Sequence, residues 1–502
     1  MSKKLLLTDL LSRLPDAPLY AWHGIGIEGI SVLDITQDSR TVRDGSLFAA
    51  IRGNVHNGEA YIAQARAQGA SVILCHPDAL PLCEGHPAIT CQEPRYLLSL
   101  IAAAYYQPQP SNMVAVTGTD GKTSTAEFVR QLWECTGHPA LSIGTLGLKS
   151  NRILQDLPPL SDNTSPEAVR FYEALSVACN QGIMHAVCEA SSHGLHQYRL
   201  EGLQVQCAIF TSFSQDHLDY HGTMDDYFAA KTLLFERIVH PRGLAIMCSD
   251  EPRIAALAQS LRAKGQRTLT YGTHGDVRID AITPMPTGQA VALYYEDQRY
   301  SFHLPIYGDF QVYNMIAAML AVQETTHHHL AELLTHAPHL HTIRGRLELV
   351  ATTPKGARVF VDYAHTPAAL SKALHTLRPY VNGTMTVIFG CGGDRDKTKR
   401  PLMGKEARMG ADHIIITDDN PRTEDPATIR TEIHAGCPDA LIIPDRREAI
   451  DHAVRHGKAG DVIVVAGKGH EDYQIIGTRK IHSDDAEIIR DTIGELLIHA
   501  SS

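Results

Sequence analysis

The sequence has few of the features that would place it in a special class of protein. It is 502 residues long, and its ten cysteines are scattered from Cys75 to Cys437 without a C-x-x-C pair. That spacing speaks against a disulfide framework and against zinc ribbons. Positive charge is scarce. Lys+Arg number 45 against 56 Asp+Glu, a formal net charge of −11, which disfavours nucleic-acid or anionic-membrane binding through bulk charge. Any anionic ligand must then be held by local cations. Long apolar runs are missing as well, and the start of the chain reaches Asp9 and Arg13 too soon for a signal peptide. No internal repeat and no low-complexity tract is found. These absences lead us to expect a reduced, cytoplasmic protein with no nucleic acid and no membrane as partner.

What is present is ordinary globular material, 44% apolar and 20% charged. The length is about three times the roughly 150 residues typical of one domain, so several domains are expected. The first hundred residues give short strands and turns, then helix-like segments at Ala60–Ala67 and Tyr96–Tyr106. Two prolines in Gln107-Pro-Gln-Pro-Ser111 end the second helix and mark a boundary. Beyond it, apolar β-branched runs (Met113–Val116, His185–Cys188, Cys207–Phe210) alternate with helical segments. A third part repeats the habit at Val359–Val361, Thr386–Phe389, Ile414–Ile416 and Val462–Val465. Each run ends in a polar loop, as expected of parallel sheets whose ligand sites lie beyond the carboxyl ends of strands. The fold class expected is α/β with three domains: a small mixed N-terminal domain at 1–107, a central P-loop parallel-sheet domain at 108–341 and a C-terminal Rossmann-like domain at 342–502. His327 to His329 read as a solvated helix end.

The strongest local signal is Thr117-Gly-Thr-Asp-Gly-Lys-Thr-Ser124, which follows a strand and opens a helix with apolar Phe128, Val129, Leu132 and Trp133 and a stop at Gly137. That is the context of a phosphate loop. Gly118 and Gly121 let backbone N–H groups turn inward around Thr119 and Asp120, Lys122 supplies charge for the β- and γ-phosphates, and Thr123 or Ser124 can hold Mg²⁺. The gap between the glycines is shorter than in G-x-x-x-x-G-K-[ST], so the loop is a variant.

The spacing G-T-x-G-K-T resembles that of the Mur ligases, ATP-dependent amide ligases of peptidoglycan precursor synthesis and hence of cell-wall biogenesis, cell shape and cell division. In the central part, Glu189-Ala-Ser-Ser-His-Gly-Leu-His-Gln-Tyr-Arg199, Asp216-His-Leu-Asp-Tyr-His-Gly222 and Tyr227-Phe-Ala-Ala-Lys231 are similar to that family in the same order. So are Asp38-Ser-Arg40 and Gly45-Ser-Leu-Phe48 near the start. In the third part, Asp362-Tyr-Ala-His-Thr-Pro367, Gly390-Cys-Gly-Gly-Asp-Arg-Asp-Lys397, Asp419-Asn-Pro-Arg422 and Ala466-Gly-Lys-Gly-His-Glu471 resemble the branch whose acceptor is meso-diaminopimelate.

The resemblance implies ATP as co-substrate and two Mg²⁺ ions. Thr123 and Glu189 would serve one ion, and His217 with a carbamylated Lys231 the other. An unmodified lysine repels Mg²⁺, whereas a neutral amine that takes up CO₂ becomes an anionic oxygen donor; taken alone, Lys231 would read as an exposed helix lysine. His221 reads as a core histidine, and for Glu189 the plain alternative is a helix N-cap. By resemblance Lys122, Lys231, His217 and Arg346 carry catalysis. Arg346 would reach the γ-phosphate on domain closure, Asn314 would meet adenine, and Asp362 and His365 would meet the nucleotide.

At the donor end the resemblance assigns Ser39 and Asn54, Val55 and His56 to the uridine diphosphate. Asn163, Thr164, Ser165, Ser191, Gln197 and Arg199 would hold the sugar-peptide, UDP-N-acetylmuramoyl-L-alanyl-D-glutamate. At the acceptor end it assigns Arg395, Asp419, Asn420, Pro421, Arg422, Gly467 and Glu471, with Arg422 for the distal carboxylate and Glu471 for the distal ammonium. A guanidinium there favours diaminopimelate over lysine, whose ammonium would face it unpaired. The chain departs from the family's pattern at Gln37, Asp120, Ser165, Ser212, Phe213, Gln215, Gln311 and Arg344. Open alternatives are a related ligase for L-lysine or for another carboxylate donor, and a non-catalytic nucleotide-sugar sensor.

Overall fold

The computed structural model describes residues 4–14, 20–53, 57–161 and 163–500, the last two by backbone alone. The chain folds into two compact units. The first holds residues 1–279, 294–299 and 313–336, and the second holds 280–293, 300–312 and 337–502. The N-terminal and central sequence parts thus share one unit, while strands 277–285, 288–295 and 298–304 are partitioned between the two.

In the first unit a five-stranded sheet near the N-terminus runs Ala21–His23, Ala88–Thr90, Val72–Cys75, Ser46–Ala49, Asp34–Thr36. All pairs are parallel except the first, which is antiparallel. The larger sheet of that unit runs Gly147–Ser150, Ala140–Gly144, His185–Glu189, Asn112–Thr117, Val205–Phe210, Val239–Cys248, Arg267–Gly272. Its inner pairs are parallel. Met113 to Val116 and Cys207 to Phe210 are almost fully buried, because a parallel sheet covered by helices on both faces needs apolar side chains in both directions. The central strand 112–117 has 185–189 and 205–210 as neighbours, so the loops after all three open on one edge.

In the second unit a six-stranded sheet runs Glu348–Thr352, Arg358–Asp362, Val462–Ala466, Met385–Phe389, His413–Ile416, Leu441–Ile442. Only the first pair is antiparallel. One face packs on a core that includes Leu370, Leu374, Met403 and Ile433, the other on Ile450, Val454 and Ile489. Within this unit Arg446 makes two 2.7 Å bonds to the buried Asp485.

The strand runs read from the sequence all form strands. The strands between 277 and 304 follow one another without helices, which departs from the expected βα alternation. The first of them alternates buried Val277 and Ile279 with exposed Arg278 and Asp280, and a tight Glu296-Asp297 turn at positive φ joins the last two. His327 to His329 lie between the helices 309–326 and 330–334, and His329 is the residue before the second.

His185, at the amino end of its strand, shares a 3.0 Å hydrogen bond with Asn112 and stacks near His138. Burial, then the neighbouring His138, pushes its imidazole down to about 4. An unfolded chain protonates near 6.5. The folded form therefore resists the proton that the unfolded form takes, and stability is lost as pH falls from about 6.5 toward about 4. Urea unfolding across that window should show a smaller fall in His185→Gln than in the parent protein; equal falls would show that His185 does not carry the effect.

Candidate active site

The phosphate loop leaves the strand 112–117 and enters the helix Lys122–Cys135. Gly118 has φ +148° and Gly121 φ +86°, conformations that L side chains rarely adopt. A Cβ on Gly118 would collide with Thr211 Oγ1, and one on Gly121 with Asn314 Oδ1. The loop is therefore clasped from both sides, and Asn314 sits directly against it. Thr211 Oγ1 donates to Asp120 O at 2.6 Å, Ser212 Oγ accepts from Asp120 N at 2.9 Å, and Thr119 N donates to Ser212 O at 2.8 Å.

Two lysines converge on one carbonyl. Lys122 Nζ donates to Gly118 O at 2.9 Å and Thr119 O at 2.8 Å, and Lys231 Nζ donates to Gly118 O at 2.7 Å. Lys231 is 1% exposed, contrary to the plain reading of an exposed helix lysine. Burial, then Lys122, holds its ammonium well below the usual lysine range. Its Nζ lies 4.5 Å from the centre of the Tyr227 ring, and Tyr227 shares a 3.2 Å hydrogen bond with Thr119.

Glu189, at the end of the neighbouring strand, is 2% exposed. Its carboxylate accepts from Thr123 Oγ1 at 3.0 Å, Thr145 N at 2.8 Å and Thr145 Oγ1 at 3.1 Å. Burial pushes its pKa up, against the pull of Lys122 and these donors. It is not a helix N-cap; Ser191 caps the next helix by accepting from Gly194 N. Thr145 carried no signal in the sequence beyond its place after the Ala140–Gly144 strand. His217 has φ +52° and bonds Asp216, with His193 and Tyr227 as ring neighbours. His221 lies among His193, His196 and Tyr227.

Among the described residues no three His, Cys, Asp or Glu side chains converge on a metal position. Thr123 and Glu189 do form a hard-oxygen pair beside the phosphate loop, the kind of partial ligand set that Mg²⁺ completes with phosphate oxygens and water.

At the donor end, Asn54, Val55 and His56 lie outside the described residues. Ser39 is buried in a short turn at 39–41. Asn163 bonds Ser161, and Thr164 bonds Thr145. Ser165 Oγ donates to Glu189 O at 2.8 Å and meets Ser191 Oγ at 3.0 Å, so these two serines brace the loop. Arg199 is fixed by Ser165 O at 2.6 Å, Gln197 Oε1 at 2.7 Å and Glu167 at 3.0 Å. Glu167 also accepts from Gln37 at 3.2 Å. Nothing in the sequence pointed to Glu167 as a partner of Arg199.

In the second unit Asp362 accepts from Leu347 N at 2.7 Å and Ala364 N at 2.9 Å, which holds the turn bearing Arg346. Burial raises the Asp362 pKa against those bonds. Arg346 stacks on Tyr363 at 5.0 Å. His365 bonds Tyr363 O, and Lys399 donates to His365 O.

A cavity of about 500 Å³ opens at the carboxyl edge of the second unit's sheet. Arg395, Asp419, Asn420, Arg422, Gly467 and Glu471 all line it with Tyr363 of the Asp362–Pro367 motif, and the sequence had not marked Lys399 or Tyr473, which line it too. Pro421 stands beside it: Gly393 has no room for a Cβ against Pro421 O. Arg422 stands at φ +51°, with Nη1 donating to Gly393 O at 2.9 Å. Burial, then Asp419, pushes the Glu471 carboxyl up, and Asn420 Nδ2 donates to it at 3.1 Å. The cavity thus carries guanidinium groups and a carboxylate pair together, a setting for a small molecule with charges of both signs.

Family models match three stretches: "Mur ligase family, catalytic domain" at residues 22–106, "Mur ligase middle domain" at 116–322 and "Mur ligase, glutamate ligase domain" at 345–469. The chain belongs to the Mur ligase family. Within it, the chain is 41% identical over 479 residues to a UDP-N-acetylmuramoyl-L-alanyl-D-glutamate–2,6-diaminopimelate ligase of Mesorhizobium japonicum, covering 94% of this chain and 97% of that one. It is 42% identical to the Zymomonas mobilis ligase of the same name, covering 92% and 95%. A solved structure of a ligase with that name superposes with a TM-score of 0.72 at 32% identity, covering 93% of this chain and 95% of that one.

Gly118→Ala should abolish nucleotide binding while the protein stays folded, because Thr211 is buried and bonded on both sides of the clash. Titration with a fluorescent ATP analogue, beside a thermal melt, checks this; binding at parental strength would show that the loop tolerates a Cβ.

Proposed function

We propose that the chain joins meso-diaminopimelate to the carboxylate of UDP-N-acetylmuramoyl-L-alanyl-D-glutamate at the expense of ATP, as a step of peptidoglycan precursor synthesis. The observation that carries this reading is the second unit's cavity, where Arg395 and Arg422 share one wall system with Asp419 and Glu471. Meso-diaminopimelate offers, beyond the reacting amine, a distal carboxylate and a distal ammonium. The carboxylate suits Arg422 and the ammonium suits Glu471. L-Lysine would set an ammonium before Arg422 with no carboxylate to pair, which costs affinity.

Amide formation needs an activated carboxylate. A carboxylate oxygen takes the γ-phosphoryl group of ATP, ADP departs, and an acyl phosphate results. The acceptor amine then attacks the acyl carbon, phosphate leaves with the bonding electron pair, and the amine proton is lost to solvent or a base. Negative charge gathers throughout, so catalysis is mostly positioning and electrostatic stabilisation. Lys122 and the backbone N–H groups at the start of its helix neutralise the β- and γ-phosphates; those of Thr119 and Asp120, expected from the sequence to turn inward, are instead taken by Ser212. Arg346 is assigned to the γ-phosphate, Asn314 to adenine, and Arg199 to the donor's peptide carboxylate. The second unit must deliver the amine before water reaches the acyl phosphate.

Mg²⁺ is assigned to Thr123 and Glu189, and a second ion to His217 and Lys231 as carbamate; when bound they add positive charge beside the phosphates. The support for the carbamate is a buried amine whose pKa its surroundings draw well below the usual lysine range. A neutral Nζ attacks CO₂ and loses a proton, leaving an anionic oxygen donor. The chain has no helix among the described residues long and apolar enough to cross a membrane. ATP and a nucleotide-activated sugar make this work for the cytoplasm, and we assign the chain there as a monomer.

Phosphate release should require ATP, Mg²⁺, the donor and diaminopimelate together, and an amino-acid panel should place L-lysine far behind. Turnover of ATP that ignores both substrates would sink the proposal. Arg422→Lys should lower kcat/KM for diaminopimelate by about tenfold or more, because one point charge replaces a two-pronged donor.

Lys231→Ala should be nearly inactive. Added short-chain carboxylates should restore part of its rate, whereas no rescue at any chain length would argue against a carboxylate-like group at that position.

A further inference from the structure

The loop that carries the acceptor-reading residues, Asp419 to Arg422, leaves the sheet after the strand 413–416 and is not held by any further strand of that sheet. It is held by a separate two-stranded hairpin, Tyr473–Ile476 paired with Arg479–His482. Gln474 Nε2 donates to Asp419 O at 2.6 Å. Ile475 N donates to Asn420 Oδ1 at 2.8 Å. Arg422 N donates to Ile475 O at 3.0 Å, and Gly477 N donates to Arg422 O at 2.7 Å. Arg422 and Ile476 thereby form an isolated parallel bridge.

These four bonds decide where the guanidinium can be. A non-glycine residue in the left-handed region is strained and persists only where its surroundings hold it. Both backbone polar groups of Arg422 are taken by the hairpin, and on the other side its Nη1 meets Gly393 O. Asn420 works in both directions, accepting from the hairpin with Oδ1 and donating to Glu471 with Nδ2. A two-stranded hairpin is marginal by itself, so loop and hairpin order each other. The strand 479–482 is exposed throughout, with Lys480 Nζ lying 3.6 Å over the Tyr473 ring.

We infer that the hairpin 473–482 is the specificity element of the acceptor cavity, with Gln474 as its positioning residue: it latches the Asp419–Arg422 loop in the one conformation that presents Arg422 and Glu471 at the spacing of the acceptor's distal carboxylate and ammonium. Gln474 is assigned no acceptor atom. It acts through the backbone of Asp419. The inference rests on the acceptor reading given under the proposed function and extends it to residues that no motif marks.

The test uses Gln474→Ala and Gln474→Met in the full-length protein, the second keeping the length of the side chain without its N–H donor. Loss of one such bond should raise the KM for diaminopimelate by about tenfold. The same variants should keep kcat within about twofold, leave the KM for ATP and donor unchanged, and narrow the preference for diaminopimelate over lysine. A fall in kcat with all three KM values unmoved, the mark of a smaller folded fraction, would overturn the assignment of Gln474 to acceptor positioning. Parental acceptor KM and parental preference in both variants would overturn it as well. Amide exchange supplies a readout independent of turnover: Arg422 and Gly477 should be protected in the parent and exchange faster in Gln474→Met. Unchanged protection there would also overturn the inference. A parent without diaminopimelate-dependent phosphate release would instead sink the acceptor reading, and the exchange result would still judge the latch.

Discussion

Lys122 and Lys231 both donate to the single carbonyl oxygen of Gly118, and most of the first unit's site follows from that crowding. Two ammonium groups on one acceptor repel, and one of them is buried. Burial, then Lys122, draws the pKa of Lys231 well below the usual lysine range, which eases that repulsion. Gly118 must have no side chain, because its backbone stands at φ +148° with Thr211 pressed against its α-carbon. Glu189 then answers the remaining positive charge from the adjacent strand end. Its burial would be costly without Thr123 and Thr145, which between them donate three hydrogen bonds.

The second unit solves a related problem by different means. Its loops 390–397 and 417–425 each leave the sheet carrying charges to the wall of one cavity, and they are tied to one another. Gly393 N donates to Asn420 O, Asp394 accepts from Thr423 N and Oγ1, and Glu424 accepts from Asp394 N. Arg400, fully buried, bonds Glu424, Glu432 and Gly392 O beneath them. A charge buried this deeply is tolerable only because its partners are in place. The result is a rigid floor on which Arg422 can be held in a strained conformation.

The strands and the phosphate loop were legible in the sequence because both depend on local signals. Runs such as Val114–Val116 are apolar on both faces, and Gly118, Gly121 and Lys122 sit at fixed offsets from a strand end. The acceptor motifs were legible as motifs and do gather in one cavity. What could not be read were partners supplied from a distance by ordinary residues. Thr145 and Thr211 are common threonines at strand ends. Glu167 reaches Arg199 across the fold, and Gln474 acts through a backbone carbonyl. Nothing in their local sequence separates them from solvent-facing polar residues. Strands 277–304 gave no signal for another reason: much of their surface is exposed, so polar side chains interrupt the apolar run that marks the buried parallel strands.

The departures from the family's pattern are mostly answered within the structure. Residue 120 is fixed through its backbone N–H and carbonyl by Ser212 and Thr211, so an aspartate there does not alter the path of the phosphate loop. Arg344, where a proline is expected, pairs with the buried Asp484, which also accepts from Ala486 N at the start of the C-terminal helix. Gln37, in place of a leucine, donates to Glu167, whose other oxygen pairs with Arg199. The first two changes are met by local partners. The third does not stop at its own position, since Glu167 competes with any donor carboxylate for the same guanidinium. Burial draws the Arg199 pKa down, but the guanidinium stays charged. A polar anchor on Glu167 keeps that carboxylate aimed at Arg199, so on the proposed assignment of Arg199 to the donor, Gln37 and Glu167 would share in setting its grip.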